Sequence, residues 1–108
     1  MSSVFWRPAA WGDLVEHYVY LAENAGTLIA DRFQIDAEAS IAELAAHSAM
    51  GAPLMLRVPE LMGLRMWRVK DFDHFLIFYL PDRDGAMIVR ILHATQDWWR
   101  VLGVEPAP

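Results

Sequence analysis

Phe75-Leu76-Ile77-Phe78-Tyr79-Leu80-Pro81-Asp82-Arg83-Asp84-Gly85-Ala86-Met87-Ile88-Val89-Arg90-Ile91-Leu92-His93 places two apolar runs on either side of a proline, two aspartates and a glycine. Aromatic and β-branched side chains suit a pleated, half-buried backbone, and Pro, Asp and Gly supply turn geometry. The stretch predicts an antiparallel hairpin with strands over Phe75–Leu80 and Met87–His93. Side chains alternate along a strand, so Met87, Val89 and Ile91 share one face and Ile88, Arg90 and Leu92 the other. The purely apolar face is expected to meet the rest of the core. The mixed face, with Arg90 among aliphatic neighbours, has the composition of a partner-binding sheet surface.

Two further strands precede this hairpin, over Leu54–Val58 and Leu64–Val69, separated by breaks at Pro59 and Asp71–Asp73. Together the four runs predict a β-meander. Further toward the N-terminus the periodicity changes from two to about 3.6. Leu14, Tyr18, Leu21 and Ala25 fall on one helical face, with Asp13, Glu16 and Glu23 turned away, and Pro8 is suited to the first helical turn. Gly26 closes this helix. Thr27 is expected to cap a second one, whose apolar stripe is Ile29, Phe33, Ala37, Ile41 and Leu44. A link this short predicts an antiparallel helical hairpin. Ahead of it, Val4-Phe5-Trp6 reads as a first strand that ends at Arg7-Pro8. The fold class is therefore α+β: an N-terminal strand and a helical hairpin packed on an antiparallel meander. Residues 1–103 make one domain and 104–108 a frayed tail.

Composition narrows the function. The chain has 108 residues, of which 56% are hydrophobic, with five Trp and no Cys. A core of this size cannot hide so much apolar surface, which predicts a tightly held partner. Residues 1–48 hold seven acids and two bases, while 49–108 hold seven of each. No basic stripe runs along the helices, so direct nucleic-acid binding is not expected. The absence of Cys fits a reducing cytoplasm. The opening Met1-Ser2-Ser3-Val4-Phe5-Trp6-Arg7 lacks a signal-peptide pattern, and Phe75–Leu80 is far too short to span a bilayer. A cytoplasmic protein without membrane contact is expected.

Several segments together resemble a known family. These are Pro8-Ala9-Ala10, Asp13-Leu14, Tyr18-Val19-Tyr20-Leu21-Ala22, Ala30, Arg32-Phe33, Gly51, Leu61-Met62-Gly63-Leu64-Arg65, Trp67-Arg68-Val69, Ile77-Phe78-Tyr79, Ile88-Val89-Arg90-Ile91-Leu92-His93 and Asp97. In order and spacing they resemble the RelE/ParE toxin superfamily, and within it ParE-like toxins of type II toxin–antitoxin systems. The resemblance implies a helical hairpin on an antiparallel sheet, and a toxin neutralised by a cognate antitoxin, ParD-like and of ribbon-helix-helix type. For ParE-like members it implies inhibition of DNA gyrase, and for RelE-like members ribosome-dependent cleavage of messenger RNA.

The chemistry separates these two readings. Cleavage by 2′-hydroxyl attack needs a base, an acid and a cation beside the phosphate. RelE-like toxins supply an Arg where this chain has Leu76, and an Arg and a Tyr where it has Ala94-Thr95-Gln96-Asp97-Trp98-Trp99. No catalytic residue is therefore assigned. His93 and Asp97 could form an acid–base pair, but without a cation beside it. His17, His47, His74 and His93 have no two-histidine ligand spacing, so neither metal nor cofactor is expected. Asp71 and Asp73 read as solvated turn residues. The expected target-binding set is Arg65, Arg68, His93, Asp97, Trp98, Trp99 and Arg100, because strand arginines and paired tryptophans anchor interfaces. The expected antitoxin-binding set is Trp11, Tyr18, Ile88, Arg90 and Leu92. The preferred reading is a gyrase inhibitor acting by protein contact. The alternatives are a RelE-like ribonuclease with a rearranged site and a non-toxic, antitoxin-bound module.

Overall fold

A computed structural model describes residues 2–56 and 58–103. The tail expected at 104–108 lies outside the described residues. The chain forms β1 (Ser3–Trp6), α1 (Pro8–Ala25), α2 (Thr27–Ala46), β2 (Ala52–Pro53), β3 (Arg65–Val69), β4 (Phe72–Asp82), β5 (Gly85–His93) and α3 (Trp98–Leu102). The strands make one five-stranded sheet in the order β1-β5-β4-β3-β2. β2 to β5 form the antiparallel meander, and β1 adds parallel to β5. The sheet is therefore mixed, and the expected α+β architecture is present.

Local sequence accounts for the helix boundaries. Arg7 is extended because Pro8 follows it, and Pro8 occupies the first turn, where its missing N–H costs nothing. Gly26 adopts φ 95°, a conformation that lets one residue both end α1 and begin α2. The cap expected from Thr27 is not formed. Thr27 is already the first residue of α2, and no side chain bonds the helix N-terminus.

The sheet is covered on both faces, which corrects the reading of an open sheet surface. On the helix side, Leu14, Phe33, Ala37, Ile41 and Leu44 pack on Ile77, Tyr79, Ile88 and Ile91. On the far side, Leu64, Leu76, Phe78, Val89 and Leu92 form a second core. The strand expected over Leu54–Val58 is shortened to Ala52–Pro53 and lies just before that run. Leu54, Leu56 and Val58 instead pack on the second core, joined from the other end by Trp98, Trp99 and Leu102. Laid across the sheet, these side chains shield the far face, which a fully paired edge strand would leave in water.

The alternation along β5 is also broken. Phe78 pairs with Arg90 and Tyr79 with Ile88, so Val89 is an extra residue, a β-bulge. Ile88 and Ile91 consequently share the helix-side core, while Val89 and Leu92 share the far one. The predicted split into an apolar and a mixed face does not survive the bulge. Tyr79, fully buried, ties the loop after α2 to the sheet: its hydroxyl accepts the Gly51 N–H at 2.8 Å and donates to the Ser48 carbonyl at 2.9 Å. A Cβ at Gly51 would lie 2.5 Å from that hydroxyl oxygen, so the close approach requires glycine.

Candidate functional site

β1 pairs with β5 only as far as Ile88, whose carbonyl accepts the Arg7 N–H. Beyond it the edge of β5 would be bare, and α1 closes it with two side chains one turn apart. Asp13 accepts the Ile91 N–H at 3.0 Å, and His17 Nε2 donates to the Ile91 carbonyl at 2.8 Å. A carbonyl only accepts, so His17 carries its proton on Nε2. The same Asp13 carboxylate takes Arg90 Nε and Nη2, each at 2.7 Å, in a bidentate pair. Two expectations are corrected here. Asp13 is 5% exposed rather than turned to solvent, and Arg90 is held by Asp13 rather than presented to a partner. The periodicity of α1 could not reveal this, because the acid that faces inward is needed by a strand far away in sequence.

Next to this junction, α1 and the ends of β4 and β5 enclose a cleft of about 410 Å³. Glu16, His17 and Tyr20 line it from α1, with Phe75 below and His93, Thr95 and Gln96 opposite. His93 Nδ1 lies 2.7 Å from Thr95 Oγ1 and accepts the Thr95 N–H at 3.2 Å, while the His93 N–H donates to Gln96 Oε1 at 2.7 Å. An Nδ1 that accepts a backbone N–H is unprotonated, which leaves the proton on Nε2. Partial burial, followed by the charges of His74 and His17, lowers the His93 pKa from its ordinary value.

A pH dependence follows from this shift. With the folded pKa below the unfolded one, the unfolded chain binds more protons in mild acid. The contribution of His93 to stability is then complete above about pH 6.5 and is lost as pH falls through the folded value. Thermal melting should drop between pH 7 and pH 5, and His93→Gln should flatten that slope. An equally steep slope in the variant would assign the effect to other groups.

The expected target-binding residues do not converge on one site. Arg65 Nη1 donates to the Ala49 and Gly51 carbonyls at 3.1 and 2.6 Å, and so braces the loop before β2. Arg68 is exposed opposite Leu76, whereas His93 is opposite Phe75; residues directly opposite share a face, so the two lie on different faces of the sheet. Asp97 and Arg100 are exposed, and His93 bonds to Thr95 and Gln96 rather than to Asp97. Trp98 and Trp99 are half-buried, their rings 5.1 Å apart, with Trp98 5.6 Å from the Phe78 ring. Asp71 and Asp73 are exposed, and Asp71 adopts the left-handed conformation with φ 63°.

In the expected antitoxin-binding set, Ile88 and Leu92 are 0% and 1% exposed, so their side chains belong to this chain's own cores. Trp11 is half-exposed and packs edge-on to Trp6 at 5.5 Å, and Tyr18 donates to Asp31. Apart from Trp11 and Tyr18, the sequence reading missed the outer face of the helices. Trp11, Val15 and Val19, four residues apart, are each about half-exposed, and Leu28 and Ile35 stand out on α2 at 84% and 65%. The signal was present as a second apolar spacing beside the core stripe of α1.

The family model "ParE toxin of type II toxin-antitoxin system, parDE" matches residues 4–98. This chain belongs to the ParE toxin family. No curated protein matches it at a significant level. Among solved structures, a chain of the "Chromosomal ParDE TA system from P. aeruginosa" is similar, with a TM-score of 0.69 and 22% identity over 86% of this chain and 96% of that one. That likeness concerns the fold. The ParE family match runs from Val4 within β1 through β5 and stops at Trp98, the first residue of α3. Among the described residues, no helix is long and apolar enough to cross a membrane.

Proposed function

We propose that this ParE-family toxin inhibits DNA gyrase through protein–protein contact and is neutralised by a cognate, ParD-like ribbon-helix-helix antitoxin. The observation that carries this reading is the chemistry at the end of β5. RelE-like ribonucleases carry an Arg where this chain has Leu76, which is buried in the far core, and an Arg and a Tyr where it has Ala94 to Trp99. In the cleft on the other face a phosphate would meet Glu16 and, among the described residues, no lining Lys or Arg. The large exposed apolar side chains Trp11, Val15, Val19, Leu28 and Ile35 on the hairpin fit the antitoxin, since a monomer gains nothing by showing them to water. Arg68, Asp97, Arg100 and the exposed edges of Trp98 and Trp99 are the proposed target contacts.

Purified protein should inhibit gyrase supercoiling and leave messenger RNA intact, both free and on ribosomes. Reproducible codon-positioned cleavage would replace this reading with the ribonuclease. Inhibition that disappears on adding the antitoxin would support both partners together.

A further inference from the structure

The cleft beside β5 holds chemistry that packing does not require. Glu16 makes no hydrogen bond or ion pair among the described residues. Arg90 is close enough to feel its charge, but that guanidinium is committed to both oxygens of Asp13. Tyr20, 62% exposed, adds an open aromatic face to the same wall. Opposite it, Thr95 keeps the imidazole of His93 in its neutral tautomer, and Gln96 supplies an uncharged rim. A carboxylate without a partner, an aromatic face and, among the described residues, no lining Lys or Arg disfavour anions and favour a cation.

We propose that this cleft receives an arginine side chain presented by a partner protein, its guanidinium against the Glu16 carboxylate and stacked on the Tyr20 ring, with its stem above Phe75. Arginine is favoured over lysine because a planar, weakly hydrated guanidinium both stacks on a ring and meets a carboxylate with two parallel donors. The volume of about 410 Å³ accommodates the side chain with water around it. The inference rests on the reading of the protein as one that acts by protein contacts, and it specifies the chemistry of one such contact.

The test uses the full chain labelled with ¹⁵N and ¹³C, titrated with N-acetyl-arginine methylamide and followed by NMR. Saturable shifts are expected at Glu16, Tyr20, His93 and Thr95. The neutral isostere N-acetyl-citrulline methylamide should produce none, and the lysine analogue should bind more weakly. Glu16→Gln should weaken the arginine probe roughly fivefold, the size of an exposed ion pair, and Tyr20→Leu should also weaken it. Both side chains are exposed, so the variants keep the fold. Equal binding of the citrulline analogue, absence of shifts, or preferential binding of inorganic phosphate at these residues would overturn the inference. The probe involves neither gyrase nor antitoxin, so the two readings fail separately. Arginine shifts without gyrase inhibition keep the cleft assignment and remove the target, whereas inhibition without arginine shifts removes the cleft assignment alone.

Discussion

Asp13→Ala is expected to destabilise the protein by about 3 kcal/mol, at the low end of the range for breaking a buried ion pair. The low end applies because the Arg90 side chain is 27% exposed and water partly compensates it, whereas that of Asp13 is only 6% exposed. The substitution removes three hydrogen bonds at once: two from Arg90 and one from the Ile91 N–H, which then faces no acceptor at the sheet edge. For a domain of this size the loss corresponds to a fall in melting temperature of roughly 12 °C or more. Asp13→Asn should cost less, since an amide oxygen can still accept from Ile91. Urea unfolding of Asp13→Ala, Arg90→Ala and the double variant measures the coupling directly, which should exceed about 1 kcal/mol for groups in one network. Additive single effects would mean that the pair is screened and that the helix–sheet junction depends on packing alone.

The second large effect concerns the C-terminal end. From the sequence, Trp98, Trp99 and Arg100 lie beyond the last strand, and a chain ending at Asp97 is expected to keep its fold. The structure reverses that expectation, because Trp98, Trp99 and Leu102 cover the far core formed by Phe78, Leu92 and their neighbours. Full burial of one large apolar side chain contributes about 1.5–3 kcal/mol, so removing three half-buried ones should cost about 3 kcal/mol in total. The truncated chain should melt well below the parent and bind a hydrophobic dye through the uncovered sheet. Arg100→Ala should change stability by less than about 0.5 kcal/mol, as expected for an exposed side chain. That variant is therefore the clean test of a target contact at this end. A truncated protein that melts with the parent would detach α3 from the core and return both tryptophans to the partner surface.

Local pattern determined much of this protein. The hairpin turn within Pro81–Gly85 was legible, although the strands run on to Asp82 and from Gly85 and leave only Arg83-Asp84 to turn. Pro8 at the start of α1 and Gly26 between α1 and α2 were legible too, because each depends on backbone geometry within a few residues. Of the expected α2 stripe, Phe33, Ala37, Ile41 and Leu44 are buried for the same reason, since helical period and burial are linked without reference to the rest of the chain, whereas Ile29 is 41% exposed. Family membership was legible too, since it is carried by the order of such segments. Contacts made across the fold were not. One extra residue at Val89 reassigned the faces of β5, and nothing in the alternation of its own residues marks a bulge imposed by the register of β4. Asp13 and Arg90 read as a solvent-facing acid and a partner-facing base until the sheet edge brought them within 2.7 Å of each other, across 77 residues of sequence. Leu54, Leu56, Trp98 and Trp99 were apolar on any reading. Whether they cover this chain's own sheet or a partner's surface depends on which face is left bare, and only the tertiary structure decides that.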